Sequence, residues 1–372
     1  MEYWIWLSQL KGIGPITQKR LLQHFKTPDC IYESSEEELL SIAGIGPILA
    51  QSIREARSLD GAFSILEELD NGGIKILIYD DPLYPGITKE MADAPIVLYY
   101  KGTLQENSAG VGIVGSRRCT GYGKQIAIEA AQYLAQHDIP VISGLAKGID
   151  GYAHTACLKA GGYTIAFLGN GLDINYPKEH ADLQAGIEEN GAVISEFLPK
   201  IKARPEHFPR RNALISSWSQ KLLVVEASAK SGALITAELS KSLGREVLVP
   251  PHEIYSLNGK GTNGLIRKGA IPYLEPAQLL FNDYSAGSDS GFDFLDHLGI
   301  IKKNENSSID TLNRNQTAVE KQIQTILMDS DKTIQEIGNL TGINQVKLME
   351  HLSIMELEGL IESSAGGRFG LK

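Results

Sequence analysis

Six short apolar runs recur between residues 108 and 275: GVGIVG, PVISG, YTIAFLG, AVISE, KLLVVEA and EVLVP, each nearly continuous in valine, isoleucine and leucine. Helix-length segments separate them. Continuous apolar runs mark strands buried on both faces, and their alternation with helices predicts an α/β domain with an open, mostly parallel sheet covered on both sides. Upstream, IKILIY (74–79) and APIVLYYKG (94–102) read as two further short strands around the turn DDPLYPG, packing the N-terminal segment against this domain without chemistry of their own.

The flanks carry a different period. LKGIGPITQKRLL at 10–22 and IAGIGPILAQSI at 42–53 form a near-repeat. Each reads as a helix, a Gly-Ile-Gly-Pro hairpin and a second helix with proline at its first position, where the missing N–H costs nothing. Residues 1–72 are therefore expected to form a tandem helix-hairpin-helix (SAM-like) domain. Two readings stand evenly for it: phosphate contact through free backbone amides at the hairpins, which the acidic stretch IYESSEEELLSIAG weighs against, or a protein-interaction module that keeps the same shape. The main α/β domain would span 73–281. Residues 282–315 are polar, rich in serine and asparagine, and read as a linker. Residues 316–372 read as three helices and a glycine-tipped hairpin, a winged helix whose acidic residues outnumber its basic ones, favouring an accessory or protein-binding role over DNA contact.

In open parallel sheets ligands sit beyond the carboxyl ends of the strands, so the segments following the apolar runs hold the candidate chemistry. The first is GIVGSRRCTGYG (112–123), a glycine-rich turn into a helix. Its free N–H groups at a helix N-terminus, with Arg117 and Arg118, are suited to an anion. Then come SGLAKGIDGYAH (143–154), GNGLDINYP (169–177), RPEHFPRRN (204–212), SAKSGALITA (228–237) and KGTNGLIRKGA (260–270). Nearly every one pairs glycine or hydroxyl with a cation. A mononucleotide site needs one or two such loops; this many fits a polyanion laid across the sheet edge. Phe208 among Arg204, Arg210 and Arg211 reads either as a core aromatic or as a stacking platform for an unpaired base.

The net charge of −10 argues against indiscriminate nucleic-acid binding, yet residues 106–275 hold 18 Lys and Arg against 16 Asp and Glu, leaving room for a local basic patch. Cys30, Cys119 and Cys157 are too few and too scattered for a disulfide framework or a zinc site. No apolar run approaches the roughly 20 residues that span a bilayer, and the N-terminus lacks a secretory pattern, so a cytoplasmic location with no membrane partner is expected.

Dinucleotide binding is disfavoured because Ser116 and Arg117 interrupt GxGxxG and no acid follows at the ribose-binding distance. Walker A is absent. Asp150 and His154, four apart, could pair as acid and base or hold a metal; the plainer reading makes Asp150 a helix cap and His154 a packed core residue. Cys119 sits beside cations that would lower its pKa, but lacks a partner base. Gly232, Thr236 and Glu238 loosely imitate nucleoside-monophosphate phosphoribohydrolases, the enzyme alternative, though the PGGxGT signature is missing.

Taken in order, GIVGSRRCTGYG, SGLAKGIDGYAH, GNGLDINYP, HFPRRNALIS, VVEASAKSGALITA and GTNGLIRKGA resemble the DNA-processing protein A (DprA, or Smf) family. The resemblance covers about residues 76–275, and the two flanking units suit the family's three-part architecture. It implies an extended Rossmann-like domain that binds single-stranded DNA, dimerises, and loads RecA recombinase onto incoming strands during natural transformation, with no catalysis, cofactor or metal. By that reading Gly115, Ser116 and Arg117 hold one phosphate, Lys147 and Gly148 the next, and Phe208 stacks on a base. Arg210, Arg211, Asn212, Lys230, Thr236, Asn263 and Lys268 would line the groove. Two departures stand out: Pro251 replaces the usual glycine after the sixth run, and Ala213 stands where a further arginine is common.

Overall fold

The computed structural model describes residues 1–106, 109–281, 318–344, 347–348, 351–352, 355, 360–364 and 368–371. The chain divides into two compact units, Met1–Ser288 and Asp289–Lys372.

All six apolar runs of the first unit are strands: β3 (Gly110–Val114), β4 (Val141–Ser143), β5 (Thr164–Leu168), β6 (Gly191–Ser195), β7 (Ser219–Val224) and β8 (Glu246–Val249). With β1 (Lys75–Ile78), β2 (Val97–Gly102) and the two-residue β9 (Ile271–Pro272) they make one nine-stranded sheet, ordered β1-β2-β6-β5-β4-β3-β7-β8-β9. From β6 to β9 every pairing is parallel, whereas β2 runs antiparallel to both neighbours. The two strands upstream of the six runs thus extend the same sheet.

Side chains alternate across the pleat, so the continuous runs feed two apolar layers. Ile113, Leu223 and Val225 meet Ala127, Ala130, Leu134 and Ala153 on one face. Those alanines belong to α8 (Gly121–Gln136) and α9 (Ile149–Lys159), whose small side chains let the helices lie close to the sheet. Val114, Leu222 and Val224 join Phe167, Leu214 and Trp218 on the other. There α11 (His207–Trp218) and α12 (Gly232–Ser242) cover the strands. Trp218 is fully buried, its ring 5.2 Å from that of Phe167 and 5.9 Å from that of Tyr84.

The N-terminal repeat folds as expected. Helices α1 (Glu2–Gln9) and α2 (Pro15–Phe25), then α4 (Glu36–Leu40) and α5 (Pro47–Glu55), flank the two hairpins, with Pro15 and Pro47 opening their helices; α3 (Pro28–Glu33) joins the pairs and α6 (Asp60–Asn71) leads to β1. Their core is continuous with the sheet: Ile5, Leu7, Leu21 and Ile53 share one apolar cluster with Tyr99, Leu168 and Val193.

The described part of the second unit contains helices Ala318–Leu327 and Ile334–Thr341, and a three-stranded sheet ordered β10 (Lys332–Thr333), β12 (Arg368–Leu371), β11 (Ile361–Ser364). Thr333 and Glu336 close a reciprocal capping box on the second helix. The expected linker over 282–315 lies outside the described residues, as does most of the expected third helix. Among the described residues, no helix is long and apolar enough to cross a membrane.

Trp218→Ala removes the largest fully buried side chain of the sheet core and is expected to cost about 3–5 kcal/mol. The measurement is the shift in urea midpoint followed by far-UV circular dichroism.

Candidate nucleic-acid interface

The strand order reverses at β3. From there the chain winds through β4, β5 and β6 in one direction and returns to place β7, β8 and β9 on the other side. At such a switch point the loops leaving adjacent strands diverge and open a crevice at their carboxyl ends. Here the crevice is bounded by the segment after β3 (115–120), the segment after β4 (144–148) and the start of α12.

At the first of these, the helix start that the sequence offers to an anion is already filled. The N-terminus of α8 is occupied by the chain's own Glu226, which follows β7 and is fully buried. Its carboxylate accepts from the Thr120 backbone N–H at 2.9 Å and from the Thr120 hydroxyl at 3.3 Å, while Thr120 Oγ1 accepts from the Gly123 N–H at 3.3 Å. The helix dipole thus meets an internal carboxylate, and the Thr120 and Gly123 N–H groups are satisfied within the chain. The same carboxylate corrects the expectation for Cys119: burial first, then Glu226, push its thiol pKa up.

What remains open to solvent is the tip, Ser116 to Arg118. Ser116 Oγ accepts from the Arg118 N–H at 3.1 Å, and Ser116 O accepts from the Ile149 N–H at 3.2 Å, tying the loop to the start of α9. That contact requires Gly148, whose φ is +78° and where a Cβ would stand 2.9 Å from the Arg117 carbonyl carbon. Arg117 is exposed, and its guanidinium lies 5.2 Å from the centre of the Phe208 ring. It has no ionic partner among the described residues.

Beneath the same ring lies a second guanidinium. Arg211 is 5% exposed, with its Cζ 5.7 Å from the Phe208 centroid. It donates to the carbonyls of Gly144 and, at 3.3 Å, Phe167, and faces the Asp150 carboxylate at 4.0 Å. Gly144 is glycine because a Cβ would overlap the guanidinium. Asp150 is therefore the counter-ion of Arg211; the helix cap expected of it is Gly148 instead. Burial pushes the Asp150 carboxyl above its ordinary range, against the pull of Arg211 and the Ala146 and Gly144 amides.

Phe208, half-buried between the two guanidinium groups, separates two hollows. One of about 250 Å³ lies toward β7 and is lined by Gly115, Asn212, Ser231, Gly232 and the otherwise buried Thr236. The other, about 70 Å³, lies toward β5, between Lys147, Gly169, Tyr176 and Pro177. Gly115, Ser116, Arg117, Gly148, Phe208, Asn212 and Thr236 are thus brought together, with Arg211 as their buried support. Lys147 stands at the rim, bonded to Glu179 at 2.7 Å. Arg210 turns outward to grip Glu196 with two nitrogens, one at 3.0 Å. Lys230 is exposed just before α12.

Two of the expected residues stand elsewhere. Asn263 is spent on the turn after β8, exchanging hydrogen bonds of 3.1 and 3.0 Å with the backbone of His252. That clamp, with the Tyr122 hydroxyl donating to Pro251 O at 2.9 Å, shapes the turn at the position of the family glycine. Lys268 closes α13 (Lys260–Arg267) and meets Glu238 at 3.4 Å beside the amino-terminal ends of β8 and β9, across the sheet from the crevice. Because Glu238 stands there too, it cannot join Thr236 in a hydrolase-like site. Tyr176, whose ring is 5.8 Å from that of Phe208, was overlooked in the sequence; its signal was an aromatic beside a proline in a strand-end loop.

His154 and Asp150 do not pair. The Thr164 hydroxyl donates to Val141 O at 2.7 Å, so the His154 Nδ1 at 2.7 Å must be the donor to Thr164 Oγ1, and the buried Nε2 has no partner. Burial pushes this imidazole from 6.5 down to about 3. Among the described residues, no group of three or more His, Cys, Asp or Glu could hold a metal.

Residues 75–283 match the family model described as DNA recombination-mediator protein A, and residues 7–58 match a SAM-like helix-hairpin-helix tandem. Protein Smf of Synechocystis is 38% identical over 283 residues, 75% of this chain and 71% of that protein. The X-ray structure of DNA processing protein A from Streptococcus pneumoniae superposes with a TM-score of 0.65 at 31% identity, covering 76% of this chain and 99% of that one. The protein of the same name from Helicobacter pylori, described for its single-stranded DNA binding mode, gives 0.50 at 28% identity, covering 55% and 93%.

Two outcomes test the buried polar groups. Arg211→Met strands the Asp150 carboxylate and is expected to cost about 3–5 kcal/mol in urea unfolding. For His154, the unfolded chain takes up a proton as pH falls through 6.5 while the folded chain does not until about 3. Stability is therefore lost on acidification across that window, by up to about 1.4 kcal/mol per pH unit. In His154→Asn, whose amide can keep the bond to Thr164, that part of the pH slope should vanish.

Proposed function

The chain belongs to the DNA recombination-mediator protein A family, with Smf and DprA proteins among its relatives, and from that premise we propose that it acts as a mediator and not an enzyme and that its crevice binds single-stranded DNA. The observation that carries this reading is Arg117: an exposed guanidinium without an acid partner among the described residues, held over the half-buried Phe208 at the switch point. An unpaired base can stack where the arginine now lies, and the displaced guanidinium can pair with the adjoining phosphate. In a duplex the bases are already stacked on one another, so the arrangement favours single strands. The amides around Ser116, with Lys147 and Gly148, support a second phosphate. Thr236 and Asn212 line the hollow beyond Phe208, and Lys230 adds charge at its mouth.

The wider role follows the family: delivery of the bound strand to a RecA-type recombinase during natural transformation, by a homodimer formed through the Rossmann-like domain. The organisation we infer is a helix-hairpin-helix domain over 1–72, the Rossmann-like domain over 73–281, a linker over 282–315 and a winged helix over 316–372. The helix, strand, helix order of the C-terminal unit and its antiparallel β11 and β12 support the last assignment.

Fluorescence anisotropy with single- and double-stranded oligonucleotides of equal length tests the reading. The parent should prefer the single strand strongly. Arg117→Ala should lower the slope of log affinity against log salt by about 0.7, and Phe208→Ala should cost about 1–3 kcal/mol of binding. Parent-like binding by both variants would place the site elsewhere.

A further inference from the structure

Beyond Phe208, on the side away from Thr236, the sheet edge carries another groove. It has a volume of about 690 Å³ and lies between α1, which contributes Gln9, and the segment after β6, residues 196–204. Its walls combine an aromatic pair with free cations. Phe197 and His207 are stacked, with ring centres 4.0 Å apart and planes 23° from parallel. Lys202 is exposed and has no hydrogen-bonding or ionic partner among the described residues; Arg204 is 70% exposed and only loosely approaches Glu206, at 3.9 Å. Lys200 is engaged by Glu68 at 2.7 Å. The one carboxylate on the groove wall, Glu196, is gripped by Arg210.

The segment that presents these groups is held firmly. Lys200 has a φ of +65°, and its N–H donates to both oxygens of Asp173, at 2.9 and 3.0 Å. The Gly171 N–H donates to Ile201 O at 2.8 Å. Asp173 and Gly171 belong to the strand-end loop GNGLDINYP, so the task of that loop is to fix its neighbour. The groove is continuous with the first site: His207 precedes Phe208 on the first turn of α11, and both side chains lie against Gly169, where a Cβ would stand 3.4 Å from the Phe208 ring and 3.6 Å from His207 Cβ.

We propose that this groove is a second nucleotide subsite, in which the strand leaving Phe208 stacks a base on the Phe197–His207 pair and sets its phosphates against Lys202 and Arg204. The proposal rests on the single-stranded DNA reading and extends it to the boundary with the N-terminal helices. Cations on a fixed loop beside a stacked aromatic pair fit a flexible polyanion with π-faces. An acidic peptide could use the charges but not the stack.

The test uses the full chain and oligothymidines of increasing length, from about four nucleotides upward, the lower bound for a compact single-strand site. In a Lys202→Ala, Arg204→Ala double variant, whose exposed substitutions leave the core untouched, the shortest oligomer should bind as to the parent. Longer ones should bind more weakly, with the salt slope lower by about 1.4 for two lost phosphate contacts. Phe208→Ala should weaken every length. If Phe208→Ala weakens all lengths while the double variant matches the parent throughout, or loses equally at every length, the second subsite is wrong and the first stands. If neither responds, both fall.

Discussion

A buried guanidinium holds the crevice together. Arg211 reaches from α11 beneath Phe208 to the carbonyl ends of β4 and β5 and to Asp150 on α9, so one side chain sets the positions of four elements. Charges this deeply buried are tolerated only when paired and hydrogen-bonded. The absence of a side chain at Gly144 makes the pairing possible. Phe208 is held from below by this arrangement and can stay half-exposed above it, which a merely core-packed ring could not do.

A second internal pairing decides which positive groups are left for a ligand. With Glu226 placed at the start of α8, the most obvious anion position in the sequence is already occupied by a carboxylate of the chain itself. Arg210 is likewise spent on Glu196, whereas the pair of Lys147 with Glu179 is exposed and weak enough to exchange for a phosphate. Counting cations near strand ends therefore overstates the field. Arg117, Arg118, Lys202 and Lys230 are among those without acid partners among the described residues, and they follow β3, β6 and β7 instead of one strand alone, a distribution that suits a chain of phosphates better than a single one.

The apolar runs made the sheet and its parallel core legible, because burial on both faces leaves a direct mark on composition. The helical hairpins were equally plain from the repeated Gly-Ile-Gly-Pro. Pairings between residues far apart in the chain left no such mark. Nothing near Glu226 says that it reaches over a hundred residues back to Thr120, nor does the HFPRRN stretch say that of its two adjacent arginines one is buried and one exposed. Lys268 was grouped with the crevice because it follows a strand; it stands at the far end of α13, a distance that depends on helix length and direction, not on motif. The sequence also treated IKILIY and APIVLYYKG as a mere connection, since an antiparallel edge reads like any short apolar pair.

The direction of the strands has one more consequence. From β7 through β3, β4 and β5 to β6 all neighbours run parallel, so every loop on this edge leaves in the same sense, at intervals of about 4.8 Å. The edge behaves as a comb with its teeth about half a nanometre apart, each contributing a backbone turn and a side chain of its own. In the proposed complex, a strand lying across it would meet contacts at a pitch set by interstrand hydrogen bonds and not by its own sequence. Under that proposal, indifference to base identity would be a property of the sheet itself.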